Sequence, residues 1–313
     1  MTWQPFYVGD GTPRDVDLGE PPPWRRFPRQ SLHREFQPPP GLVEAVNAAL
    51  ALRRPLLLTG APGSGKSTVI EQVAQELKLG RTLRWHITSR STLTDALYHY
   101  DALGRIHAQR LEGGRGADAG ADDIAPFVRL GPLGTALLPG ERPRALLVDE
   151  IDKSDLDLPS DLLDVLERGE FEIPELARYR EDVVHVREAA ENTLAALEKG
   201  RVRCTVFPFL VLTSNGERDF PAAFLRRCVR YTMPQPTVAT LHRVVAAHLR
   251  VDEAQAGAVD TLVTAFVERL EAGESLAVDQ LLNAVHVLTA QEAPAEDDAR
   301  SVLELILRGL THA

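Results

Sequence analysis

Eight consecutive residues, Gly60-Ala61-Pro62-Gly63-Ser64-Gly65-Lys66-Ser67, carry the pattern G-x-x-x-x-G-K-[ST]. Glycines at the turning points let the main chain curl until successive N–H groups point at one anion. Lys66 is then placed to reach the β and γ oxygens of a triphosphate, the Ser67 hydroxyl is a hard oxygen ligand for Mg²⁺, and Thr68 offers a further contact to phosphate. The pattern arises by chance in roughly one chain in a hundred of this length. Here it follows an apolar run, Leu56-Leu57-Leu58, and opens a stretch in which Val69, Ile70, Val73, Ala74 and Leu77 recur at helical spacing. A strand, a Gly-rich loop and a helix N-terminus with its orphan donors form the expected anion cradle. A Gly-rich turn with a surface lysine would have the residue types without that context. The chemistry implied is the binding of ATP with Mg²⁺ through the phosphates.

A triphosphate held this way needs a second half-site. Mg²⁺ takes one or two ligands from protein, and hydrolysis needs a group that orients water in line with the γ phosphate. The run Ala145-Leu146-Leu147-Val148 ends in Asp149-Glu150. Acids after a buried strand stand at the edge where open α/β sheets bind ligands. Asp149 is therefore read as the metal-side carboxylate and Glu150 as the base that polarises water. Without the P-loop, two solvated acids ending a strand would be the better reading. A further run, Val206 to Leu212, leads into Thr213-Ser214-Asn215. The Asn215 amide can hold the attacking water or touch the γ phosphate, although Asn-Gly is also a common turn pair. Arg226 and Arg227 follow Pro221-Ala222-Ala223-Phe224-Leu225. One of them is read as catalytic, stabilising charge on the transferred phosphoryl group in cis or from a neighbour; a salt-bridged helix end is the alternative.

The elements that must position these groups follow from periodicity. Unbroken apolar runs suggest strands buried on both faces of a parallel sheet covered by helices, and their alternation with helical stretches gives an α/β fold. Thr82 to Ile87 reads as another strand, and Thr88-Ser89-Arg90-Ser91-Thr92 after it as a helix cap or part of the nucleotide edge. From about residue 237 only helical stripes remain: Val259, Leu262, Val263, Phe266 and Leu270; Val278, Leu281, Leu282, Val285 and Leu288; Val302, Leu303, Leu305, Ile306 and Leu310. The expected organisation is a Pro-rich arm in residues 1–40, an α/β P-loop core in 41–236 and a small all-α lid in 237–313. The arm carries Trp3, Phe6, Tyr7, Trp24 and Phe27 and is expected to be extended, packed across the core or docked on a partner. Residues 113–123, rich in Gly, Ala and Asp, read as a surface loop.

Composition sets the bounds. The chain has 313 residues, 44% hydrophobic and 26% charged, ordinary for a soluble protein of about two domains. A net charge of −10 argues against a broad basic face for duplex DNA. Cys204 and Cys228 make neither a disulfide framework nor a metal motif, and nine histidines lack zinc spacing. No apolar run approaches the roughly 20 residues of a membrane helix, and the start Met1-Thr2-Trp3-Gln4-Pro5 lacks signal-peptide character. A cytoplasmic protein is expected.

The order of these motifs resembles the AAA+ ATPases: P-loop, strand ending in Asp-Glu, strand ending in Asn, paired arginines, helical lid. Pro55-Leu-Leu-Leu-Thr-Gly-Ala-Pro-Gly-Ser-Gly-Lys-Ser67 and Leu146-Leu-Val-Asp-Glu-Ile-Asp-Lys153 are similar to the first two motifs of the MoxR-like, dynein-related bacterial branch. Leu212-Thr-Ser-Asn-Gly-Glu-Arg-Asp-Phe-Pro-Ala-Ala-Phe-Leu-Arg-Arg-Cys228 looks like its first sensor followed by its arginine-finger segment. The likeness covers about residues 41–290. It implies a ring, usually a hexamer, with ATP between subunits and Arg226 or Arg227 acting in trans. It also implies chaperone-like remodelling of a protein client, often through a partner with a metal-dependent adhesion domain. The stretch Ser275-Leu276-Ala277-Val278-Asp279-Gln280 lacks the second-sensor arginine of many AAA+ lids, so a lid contact to the γ phosphate is not implied. Residues 170–205 hold Pro174, a charged helical stretch and Gly200-Arg201 where the family places a hairpin facing pore or client. Arg201 and Arg203 there are client contacts or a solvated face. Two other readings stand beside this one. A nucleic-acid motor or restriction-type NTPase is weighed down by the acidic balance. A P-loop kinase fits poorly with the helical tail and paired arginines. The P-loop reads phosphates and not the base, so ATP and GTP are not separated by it.

Overall fold

The computed structural model describes residues 10, 13, 15, 21–26, 36–112, 123–189, 193–249, 251–274, 276–289 and 302–307. Trp3, Phe6, Tyr7 and Phe27 of the arm, residues 113–122, Ser275 and Leu310 lie outside them. The chain divides into two units, one of Pro38–Thr59 with Lys66–Thr232, the other of Met233–Ala313 with the Gly60–Gly65 loop and the arm to Gln37.

The first unit opens with α1 (Leu42–Leu52), β1 (Leu56–Thr59), α2 (Lys66–Glu76), β2 (Leu83–His86) and α3 (Leu93–Leu97). β3 (Tyr98–Tyr100), α4 (Ala102–Glu112), β4 (Val128–Leu130), α5 (Pro132–Ala136), β5 (Ala145–Asp149) and α6 (Leu158–Arg168) follow. Then come β6 (Glu170–Glu172), α7 (Pro174–Ala177), β7 (Val183–Arg187), β8 (Leu194–Glu198) and β9 (Arg201–Arg203), and last β10 (Phe209–Ser214), α8 (Ala222–Leu225) and β11 (Val229–Thr232).

Five strands form a fully parallel sheet in the order β11-β1-β10-β5-β2. β1, β5 and β10 are buried almost throughout, which is why they read as unbroken apolar runs. α1 packs against β1 and β11, α2 against β5 and β10, and α5 against β2 and β5. β10 begins at Phe209, three residues later than the apolar run suggests, because Pro208 has no N–H to give to the ladder. The register pairs Thr59 with Ser214, Leu212 with Val148 and His86 with Asp149. The carboxyl ends of four strands therefore finish level with one another. After β2, Thr92 caps α3 by accepting the Asp95 amide at 3.2 Å.

A second sheet, ordered β3-β4-β7-β8-β9-β6, grows out of this unit. It corrects the charged helical stretch expected within residues 170–205. Val184 and Val186 of β7 and Leu197 of β8 point into the core while His185, Arg187, Leu194 and Ala196 do not, a period of two that no helix has. Its inner residues join the main core, where Leu146, Val148, Leu162, Val186 and Leu210 belong to one cluster.

The second unit holds α9 (Val238–His248), α10 (Glu253–Glu271) and α11 (Val278–Thr289), with residues 302–306 also helical. Thr237 caps α9 through the Thr240 amide at 3.2 Å. Val263, Phe266, Leu281 and Val285 make its core. Of the last predicted stripe, Leu303 and Ile306 pack inward but Leu305 faces solvent. Trp24 from the arm packs on this cluster. It donates to Asn283 Oδ1 at 3.1 Å and lies edge-on to His248 and His286. No helix among the described residues is long and apolar enough to cross a membrane.

Candidate functional site

The Gly60–Gly65 loop leaves β1 and enters α2. Gly63 has φ +75°, and a Cβ there would stand 2.8 Å from the Val278 amide nitrogen. At Gly60 a Cβ would meet that of Met233 at 2.9 Å. Backbone angle and space therefore both require glycine at these two positions. The Ser64 N–H closes a turn onto the Ala61 carbonyl at 3.2 Å, and the Ser64 hydroxyl is buried without a hydrogen-bond partner among the described residues. Ala61, Pro62 and Ser64 share a cleft with Gln235, Pro236, Glu274 and Leu276.

Lys66 opens α2 and is 7% exposed. Its Nζ donates to Asn215 Oδ1 at 2.9 Å. Burial lowers its pKa from the ordinary lysine value, while Asp149, Asp152 and Glu150, in that order, pull it back up. The ammonium is thus largely buried, with three acids near enough to favour its charge.

Ser67 Oγ donates to Asp149 Oδ1 at 3.0 Å. Thr213 Oγ1 donates to the same oxygen at 2.5 Å and accepts the Glu150 amide at 2.9 Å. A hydroxyl and a carboxylate oxygen in contact are the hard donors Mg²⁺ takes beside phosphate, so this pair fits the ion. Glu150 sits in the left-handed region, φ 61° and ψ 48°, a backbone strain often kept at functional positions. Its Oε2 accepts from Lys153 Nζ at 2.8 Å, with His86 Nε2 at 3.8 Å. That hydrogen bond is the main reason the Lys153 pKa is raised.

The structure thus brings Lys66, Ser67, Asp149, Glu150 and Asn215 together, as the sequence suggested. Thr213 and Asp152 were not anticipated. Asp152 Oδ2 accepts the Asn215 amide at 2.9 Å and the Glu217 amide at 3.2 Å. Thr213 and Asp152 each lie two residues from a residue already singled out, but that closeness alone does not mark their chemistry. The two arginines differ. Arg227 Nε is bound to Glu167 of α6 at 2.8 Å. Arg226 is exposed, and its guanidinium has no partner among the described residues; its backbone N–H donates to the Ala222 carbonyl and its own carbonyl accepts from Arg54.

A model of the AAA domain, dynein-related subfamily, matches residues 55–228, from Pro55 just before β1 to Cys228 just after the arginine pair. A comparison with curated proteins gives no match.

Proposed function

Because the chain belongs to the AAA domain family, in its dynein-related subfamily, and is thereby an AAA-type ATPase, we propose that it hydrolyses ATP in a Mg²⁺-dependent reaction through the cluster around Lys66 and remodels a protein client as a ring, of six subunits on the family's pattern. Residues 41–236 would be the hydrolytic core and residues 237–313 its lid. The observation that carries the reading is the contact of Ser67 with Asp149 beside that of Lys66 with Asn215. The two halves of the predicted site come from distant parts of the chain and meet through their functional atoms.

Ser67 and Asp149 would hold Mg²⁺, which would supply positive charge to offset that of the phosphates. The loop amides and Thr68 bind phosphate, and Lys66 trades Asn215 for a phosphate oxygen. Asn215, released, can orient the attacking water. Glu150 must leave Lys153 to accept the water proton as the new P–O bond forms and the bond to the β phosphate breaks. Arg226, whose guanidinium has no partner among the described residues, is better suited than Arg227 to serve a neighbour's phosphate.

The test is Glu150→Gln in the full chain. Nucleotide affinity is expected to stay within about threefold while turnover falls by about 10²–10⁴-fold. Normal turnover in Glu150→Gln would refute the assignment.

A further inference from the structure

We propose that Asp152 is a positioning residue for hydrolysis: it fixes the turn that carries Asn215 and so sets where the Asn215 side-chain amide stands, against Lys66 in this structure and toward the attacking water once phosphate takes Lys66. The proposal rests on the hydrolytic reading above. Asp152 lies in the single turn Ile151–Lys153 after β5 and is 3% exposed. A carboxylate is seldom this buried unless several donors hold it. Here two do, the main-chain amides of Asn215 and Glu217, both on one oxygen. Arg218 ties the same two turns again, donating from Nη1 to the Ser154 carbonyl at 2.5 Å. Asn215 then offers its side-chain oxygen to Lys66 Nζ at 2.9 Å. An unbroken series of hydrogen bonds therefore joins the turn after β5, the turn after β10 and the first residue of α2.

Two further facts favour a functional role over packing. The second oxygen of Asp152 is buried with no hydrogen-bond partner among the described residues, an arrangement that costs stability and that a well-packed apolar residue would avoid. The charge of Asp152 also favours protonated Lys66, second only to Asp149 among the acids near it.

The test uses the full chain with Asp152→Ala, Asp152→Asn, Asn215→Ala and the double variant Asp152→Ala/Asn215→Ala. Amide hydrogen exchange is followed at residues 215–218, with kcat and KM for MgATP and the melting temperature. Asp152→Ala is expected to speed exchange at Asn215 and Glu217 at least about tenfold and to lower kcat about 10–100-fold, with KM within about threefold. Asp152→Asn keeps a carbonyl oxygen for the two amides and should restore most of both. The double variant should be no slower than the slower single one. Asp152→Ser, too short to reach both amides, takes the place of Asp152→Ala if that chain does not fold. Unchanged exchange, unchanged kcat, or losses that simply multiply in the double variant would overturn the proposal. A wild-type chain without turnover would instead overturn the hydrolytic reading, and the exchange data would still show whether Asp152 holds the turn.

Discussion

Thr213 joins the two acids that end β5. Its hydroxyl donates to Asp149 and accepts the Glu150 amide, so one buried side chain orients the metal-side carboxylate and holds the strained backbone of the candidate base. Thr213→Val keeps the shape and removes both bonds. It strands the Glu150 N–H, and a loss of about 1–3 kcal/mol is expected in denaturant unfolding, together with slower turnover. Thr213→Ser should recover both. A Thr213→Val chain as stable and active as the parent would show that the hydroxyl is dispensable. The P-loop was legible because its eight residues are contiguous and each has a separate chemical reason to be there. Asp149 and Glu150 were legible because acids ending an apolar run are conspicuous. Thr213 was not, because its two partners lie more than sixty residues earlier in the chain and a threonine ending a strand is unremarkable by composition. The arginine pair could not be divided by sequence either. What separates Arg226 from Arg227 is the position of Glu167 on α6.

At the scale of elements, legibility tracked burial. β1, β5 and β10 are covered on both faces and announce themselves as apolar runs. β7 and β8 are covered on one face, and their alternation is short enough, and charged enough, to pass for a helix surface. β11 is only four residues long and half-exposed, so it left no run to read. The strand assignment makes a sharp contrast. Leu197→Ala removes a side chain buried in the core and is expected to cost about 2–5 kcal/mol. Leu194→Ala, on the exposed face and 55% accessible, should stay within about 0.5 kcal/mol. Equal costs in thermal or denaturant unfolding would contradict the period of two. In the helical unit, the arm residue Trp24 lies against His286. Burial, and then the charge of Arg26, lower the His286 pKa from 6.5. The folded state therefore resists a proton that the unfolded chain takes up near pH 6.5. This stability is fully present above that pH, falls as pH drops through it, and levels off below the folded value. Melting temperatures at pH 7.5 and 5.5 test it: the wild-type drop should exceed that of His286→Gln, and parallel curves would remove His286 as the cause.

At the scale of the whole molecule, the proposed hydrolysis calls for an arginine at the phosphate, and neither of the paired arginines contacts the Lys66 cluster among the described residues. In the single chain, Arg227 is held by Glu167 and Arg226 is left exposed at the end of α8. A head-to-tail ring places the same surface of each subunit against the nucleotide face of the next, so an exposed arginine on one could serve the other. That arrangement has a consequence which a site completed within one chain does not share. Lys66→Ala should lose nucleotide but keep its arginine; Arg226→Ala should bind nucleotide but lack the arginine. Each alone is expected to be inactive. Mixed one to one and allowed to reassemble, they regenerate a complete site wherever an Arg226→Ala nucleotide face meets a Lys66→Ala neighbour, in about a quarter of the interfaces. Phosphate release near a quarter of the wild-type rate, appearing only on mixing and together with a nucleotide-dependent rise in solution mass, is the expected result. A mixture as silent as its components, although assembled, would mean that Arg226 does not act across the interface, and a chain that stays monomeric with a non-hydrolysable ATP analogue would remove the ring itself.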